Sequence, residues 1–407
     1  MPFDYCDVLR ADLPGPAGRW SGFPAHNFVG GHMDADHVPV EDLIAALTNA
    51  LQREGKNLAT YNLRTGPLGY RPLREFIAGA LKARAAMAVD PDEILITSGS
   101  LQSMDLVNQM MLSPGDTVVL EQATYGGAIT RLQARGAHPV GVALDEDGMR
   151  MDALEETLTR LAGEGRTPKF IYTIPTVQNP TGTVMLVARR ERMLALADRF
   201  GVAIFEDDCY ADLLWEGERP PAIYALDDGR RVLYCGSFSK SIAPALRLGY
   251  VVADWGGLSR LVALKTDAGT GALEQLALAD YCAPHFDDHV SRATASLKRK
   301  HDVMVEALIA EFGTAAEFAP AKGGIFLWIK LPEGVDTGKL AAAAGAEGIS
   351  LNPGAEWTVD GDDHRHWMRL CFGHPTPEEI VEGVAKLARI CHREFGVPTT
   401  GGNLLRG

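Results

Sequence analysis

Positive charge is in short supply: 39 Lys and Arg stand against 53 Asp and Glu, a formal net charge of −14. Phosphate backbones and anionic bilayers attract Lys/Arg-rich faces, so this balance argues against nucleic acid and membrane partners and leaves room only for a local basic pocket. The six cysteines are scattered from Cys6 to Cys391 with no Cys-x-x-Cys pair. Neither a zinc knuckle nor a disulfide framework is expected, no metal site is expected, and reduced thiols point to the cytoplasm. No apolar run is long enough to span a bilayer. The opening residues, Met1-Pro2-Phe3-Asp4-Tyr5-Cys6-Asp7, lack the basic and apolar blocks of a secretory leader, so none is expected. Repeats and low-complexity segments are also missing. What is there is 407 residues with 46% hydrophobic content, enough for a large core in one or two domains and too much for a small peptide-binding module.

From Ile94 to Ala253, short apolar runs alternate with helical patterning. The runs include Ile94-Leu95-Ile96-Thr97, Thr117-Val118-Val119-Leu120, Phe170-Ile171-Tyr172-Thr173, Val202-Ala203-Ile204-Phe205, Val232-Leu233-Tyr234 and Gly249-Tyr250-Val251-Val252. Continuous rather than alternating hydrophobicity implies a parallel sheet covered on both faces, an α/β fold. Before it, residues up to about Pro39 read as an extended arm, and Leu43, Ile44, Leu47 and Leu51 follow helical spacing. After it, helical patterning over 291–312, strands near 323–329 and 366–372, and an amphipathic helix over 378–395 suggest a smaller α+β domain. The expected division is 1–50 for the arm and part of the small domain, 51–290 for the large domain and 291–407 for the small one, with a loose tail over 396–407.

Polar residues gather just after the strands, where open α/β sheets bind ligands. Lys240, between Ser239 and Ser241 with Arg247 a few residues on, could hold an anion and still offer an amine; the alternative is a surface lysine in a Ser-rich turn. Desolvation or a neighbouring cation would lower its pKa towards the nucleophilic form. Ser98-Gly99-Ser100 feeds a helix start, which suits a phosphate or serves as a plain cap; Ser100 and Gln102 add side-chain donors. Asp207 and Asp208 end an apolar strand, and buried acids need partners. Asn179, in the rigid turn Asn179-Pro180-Thr181-Gly182, offers an amide. Tyr125 offers a flat ring. Arg369, in Arg369-Leu370-Cys371-Phe372, could fork onto a carboxylate or sit in an exposed ion pair.

In their order along the chain, these stretches resemble class I/II aminotransferases, pyridoxal phosphate enzymes of fold type I, and among them the aminoadipate and kynurenine types. The resemblance implies a seven-stranded, mostly parallel large domain, a smaller α+β domain and a homodimer with active sites at the interface. It implies that Lys240 carries pyridoxal 5'-phosphate as an imine and moves the proton during transfer of an amino group between an amino acid and a 2-oxo acid. Asp207, favoured over Asp208, would hold the pyridine nitrogen; Asn179 and Tyr210 would face the ring oxygen; Tyr125 would stack on the ring. Ser100, the Leu101 backbone, Gln102, Ser237, Ser239 and Arg247 would hold the phosphate, with Tyr61, or else Tyr70, reaching the partner's phosphate. Gly31 and Asn179 would lie by the substrate and Arg369 would bind its carboxylate. Met33 and Cys209 stand where relatives often carry proline. His32 is expected to be a buried, satisfied histidine. A β-lyase, cyclase or oxidase on the same fold is the alternative. A transcription regulator with an aminotransferase-like domain is not expected, because the arm is short and not basic.

Overall fold

Every apolar run singled out above becomes a strand of one sheet in the computed structural model. It describes residues 15–228 and 230–400 together with 4, 6, 8, 9 and 13. The absent leader and the loose tail are expectations that fall partly outside the described residues, at 1–3, 5 and 7 and at 401–407. The strands are β1 (Ile94–Thr97), β2 (Thr117–Glu121), β3 (His138–Val142), β4 (Phe170–Thr173), β5 (Ala203–Asp207), β6 (Val232–Ser237) and β7 (Gly249–Val252). Their order across the sheet is β1-β7-β6-β5-β4-β2-β3. Strand β7 runs antiparallel to both neighbours and the other pairings are parallel. Every residue of β1, β2, β4 and β6 is buried, which is why these strands lack a polar face in the sequence.

Strand order reverses between β2 and β4, so the carboxyl ends of β2, β4 and β5 open on one crevice. Residue Glu121 closes the end of β2 by accepting from the Thr173 hydroxyl at 2.6 Å and the Ile174 N–H at 3.0 Å, both at the end of β4.

Helix α1 (Val40–Glu54) divides its apolar residues between two faces. Leu43 and Leu47 pack with Ala46 and Ala50 into the core beside α2 (Arg71–Ala85), whereas Val40, Ile44 and Leu51 face outward. Helix α3 (Ser100–Met111) follows β1 directly. The helical pattern noted over 291–312 proves to be the second half of α4 (Ala272–Phe312), 41 residues with Pro284 inside. Its first half packs Leu276, Tyr281 and Phe286 into the core of the large sheet, and its second half packs Leu297, Met304 and Leu308 into the C-terminal core.

That second core lies under an antiparallel sheet of β8 (Phe326–Lys330), β9 (Asn352–Pro353) and β10 (Trp367–Cys371), ordered β8-β10-β9. Helix α5 (Pro377–Phe395) covers it; Thr376 and Glu379 form its capping box, Pro377 takes its first turn and Gly396 ends it in the left-handed conformation. The N-terminal arm lies on this part of the molecule. His26 and Asn27 pair with Ile349 and Ser350, Phe28 is fully buried in the same core, and Asp34 Oδ2 sits 2.7 Å from Lys300 Nζ of α4.

Candidate active site

The loop between β6 and β7 is pinned at its base by the Phe238 N–H to Leu248 carbonyl bond and by the buried Phe238 and Ile242 side chains. It presents Lys240 to a cavity of about 330 Å³ at the strand ends. The Lys240 amine donates to the Gly31 carbonyl at 2.5 Å, and a Cβ at Gly31 would overlap Nζ and push the amine from this position. Enclosure by protein pushes the Lys240 pKa down to about 8, and Arg369 and Arg247 act in the same direction.

Asp207 enters the cavity from the end of β5. Its Oδ2 accepts from the Tyr172 hydroxyl of β4 at 2.7 Å, while Oδ1 is buried with no partner. Burial raises its pKa. Asp208 points to the other face of the strand, where Arg219 lies 2.7 Å from its Oδ2 and the Tyr234 hydroxyl donates at 3.0 Å. The alternation of a strand thus sends one acid to the crevice and ties the other into an ion pair.

A chain of hydrogen bonds crosses the cavity. The Asn179 amide donates to the Tyr210 hydroxyl at 3.1 Å and its Oδ1 accepts from Arg369 Nη1 at 3.1 Å. Arg369 Nη2 donates to the Gly30 carbonyl at 3.0 Å and to Asn352 Oδ1 at 2.9 Å. The guanidinium carbon lies 3.7 Å from the centre of the Trp357 ring, and Nε is buried without a partner. Every group that touches this buried cation is neutral. Burial lowers its pKa, and an incoming carboxylate would relieve the cost of holding the charge there.

At the opposite end, α3 begins at Ser100 behind Gly99, with no side chain capping its first N–H groups. Ser237, Ser239 and Arg247 line the same end of the cavity. Gly99 has φ +80°, and a Cβ there would overlap the Arg247 guanidinium. Free helix N–H groups, hydroxyls and an arginine form a phosphate cradle. Tyr125, Leu101 and Cys209 also line the cavity.

Thus Gly31, Ser100, Leu101, Tyr125, Asn179, Asp207, Tyr210, Ser237, Ser239, Lys240, Arg247 and Arg369 share one cavity. Gln102 is not in that group. Its Oε1 accepts from the Ser98 N–H at 2.8 Å and its amide donates to Asp267 at 2.7 Å, which turns the side chain away from the cradle. Tyr61 lies outside the lining and is 83% exposed, whereas Tyr70 is buried with its hydroxyl on Glu54. His32 is half-buried rather than enclosed, its ring against Phe23 and His374. Sequence reasoning missed Trp357, Asn352 and Tyr172. Nothing local marks the first two, which arrive from the C-terminal part, but Tyr172 lay in a recognised strand and a polar tip in an apolar run was its signal.

A family model described as "Aminotransferase class I and II" matches residues 31–387. The chain is 33% identical over 372 residues to the aromatic-amino-acid aminotransferase 1 of Thermococcus litoralis, covering 91% of this chain and 88% of that one. It is 33% identical over 368 residues to the 2-aminoadipate transaminase of Thermus thermophilus, covering 89% of each. The crystal structure of Pyrococcus horikoshii kynurenine aminotransferase, described as in complex with PMP, superposes with a TM-score of 0.85 at 32% identity, covering 91% of each chain.

Proposed function

The chain belongs to the class I and II aminotransferases, pyridoxal phosphate enzymes that move an amino group between an amino acid and a 2-oxo acid, and on that premise we propose how its own residues divide the work. The cofactor, when bound, supplies an electron-accepting ring and the carbonyl group that takes up the amine. The residues present fit it: a buried carboxylate oxygen without a partner, a phosphate cradle and a lysine amine face one cavity of suitable size. Arg369 binds the substrate carboxylate through its fork. Lys240, whose amine faces the cavity, would act as the general base and acid that takes the proton from the substrate Cα and gives it back. Asp207, with its Oδ1 unsatisfied, would hold the proton on the ring nitrogen. Asn179 and Tyr210 would donate to the ring oxygen, and Tyr125 would cover the ring. The Ser100 N–H end of α3, Ser237, Ser239 and Arg247 would hold the phosphate.

The observation that carries this reading is a lowered-pKa lysine, a buried acid with one unsatisfied oxygen and a buried arginine with neutral partners, all on one cavity. Mixing the purified protein with single amino acids and following absorbance tests it. Conversion of the aldehyde form of the cofactor to the amine form, reversed by a 2-oxo acid, is expected. Release of ammonia or a cleaved side chain with no such reversal would overturn transamination in favour of a lyase or oxidase. The relatives' names direct the first screen to aromatic amino acids, kynurenine and 2-aminoadipate.

The active unit is a homodimer in the cytoplasm. In support, Val40, Ile44, Leu58 and Leu273 are exposed apolar side chains, and Tyr61, 83% exposed, is placed to reach outward. Light scattering at twice the chain mass checks the dimer. The division into 1–50, 51–290 and 291–407 is supported by Phe28 packing with the C-terminal core.

A further inference from the structure

Two thiols take no part in this division of work. Cys209 lines the cavity and Cys235 is fully buried beside it, and their sulfur atoms and a carboxylate oxygen of Asp207 all lie within 4.8 Å of one another. The strand register produces this convergence. Asp207 on β5 stands opposite Cys235 on β6, and Cys209 follows just beyond the end of β5. Asp207 also brings a buried oxygen, Oδ1, with no hydrogen-bond partner at full geometry among the described residues, and the Cys209 thiol lies beside the carboxylate.

We propose that Asp207, Cys209 and Cys235 form a binding site for one soft divalent cation, of the zinc or cadmium class, in the cofactor-free chain, and that ion and cofactor exclude each other. Two thiolates and a carboxylate make a donor set that selects such ions over magnesium or calcium. Bonds of about 2.3 Å to sulfur and about 2.1 Å to oxygen bring tetrahedral donors to within roughly 4 Å of one another. Rotation of the Cys209 side chain at the strand end closes the remaining gap. Each thiol loses its proton to solvent as its sulfur bonds the metal, so two protons leave per ion and nothing is oxidised or reduced. The fourth position faces the cavity and takes water. Two thiolates, a carboxylate and a divalent ion leave one negative charge, which the Lys240 ammonium in the same cavity offsets. The binding half rests on the donor set alone; the exclusion half rests on the proposed place of Asp207 at the ring nitrogen.

Cadmium titration of the full-length, cofactor-stripped chain tests it, read by sulfur-to-cadmium absorbance in the near ultraviolet, equilibrium dialysis and proton release. One ion per chain and two protons per ion are expected. The band should be lost in Cys209→Ser and in Cys235→Ala and kept in Cys282→Ser, a buried cysteine of α4. Cofactor capture by each variant without metal reports separately on folding and on the cofactor's place. Prior loading with pyridoxal phosphate should abolish cadmium binding, and cadmium should slow reconstitution until a chelator is added. An absent band, or a band that survives both cysteine variants, overturns the site. X-ray absorption of the wild-type complex decides it even where a variant fails to fold, since fewer than two sulfur neighbours would also overturn it. Simultaneous binding of ion and cofactor overturns the exclusion.

Discussion

At the scale of single residues, two charges define the site because each is held largely out of bulk water, Arg369 fully buried and Lys240 half-buried at the cavity wall. The Lys240 amine, with its pKa down at about 8, is neutral and nucleophilic at a pH where an exposed lysine is not. The rate at which the stripped chain captures pyridoxal phosphate should therefore rise with pH and level off above about 8. Stopped-flow reconstitution at graded pH reads this, and a rate still climbing through about 10, the range of an ordinary lysine, would contradict it. For Arg369, replacement by Lys keeps the charge and loses the fork between Asn179, Asn352 and the Gly30 carbonyl. Arg369→Lys should lower kcat/KM for amino acids roughly 100-fold, about 2.7 kcal/mol, with most of the loss in KM. A change under about threefold would mean the carboxylate binds elsewhere. Lys240, Asp207, Asn179 and Arg369 were legible in the sequence because each is a polar residue set against an apolar strand or a rigid turn. Trp357, which stacks on Arg369, and Asn352, which bonds it, were not. Their contact with the site depends on how the C-terminal part docks, and no local pattern records that.

Secondary-structure elements were legible to different degrees, for a physical reason. Six of the seven strands are buried almost throughout and so wrote themselves as apolar runs, whereas β3 at the sheet edge, exposed or half-buried over most of its length, left no such run. By contrast, α4 is buried nearly all round from Gln275 to Cys282 and only on one stripe beyond, with Pro284 inside it, so only its second half showed a clean helical period. Helix α1 likewise gave its apolar positions without revealing that Ile44 and Leu51 face outward. The ends of β2 and β4 are tied by Glu121, a fully buried acid with no cation beside it. Burial raises its pKa from 4.5 to about 7. A raised folded-state value means that the stabilisation is complete below the unfolded pKa and is lost as pH rises through about 7. Glu121→Gln should therefore look worse than wild type at about pH 5 and gain on it by about 3 kcal/mol on passing to about pH 8. Denaturant melts at both pH values read the difference. An equal gap at the two would show that Glu121 keeps its charge throughout.

For the whole molecule, the striped packing of α4 binds two hydrophobic cores to one backbone. Its leading turns belong to the core of the large sheet and its trailing turns to the core under β8, β9 and β10. Neither core can come apart without exposing helix surface that the other end still needs. The cofactor-free chain should melt as one event, with calorimetric and van't Hoff enthalpies in agreement, and two resolved peaks would show that the cores are independent. The same helix is also long enough to magnify a small bend. At about 1.5 Å per residue, the stretch from Pro284 to Phe312 reaches roughly 42 Å, so a tilt of about 10° at the proline would swing its tip about 7 Å. A slight change of angle at that one ring would therefore be magnified at the helix end that carries Met304 and Leu308 into the C-terminal core.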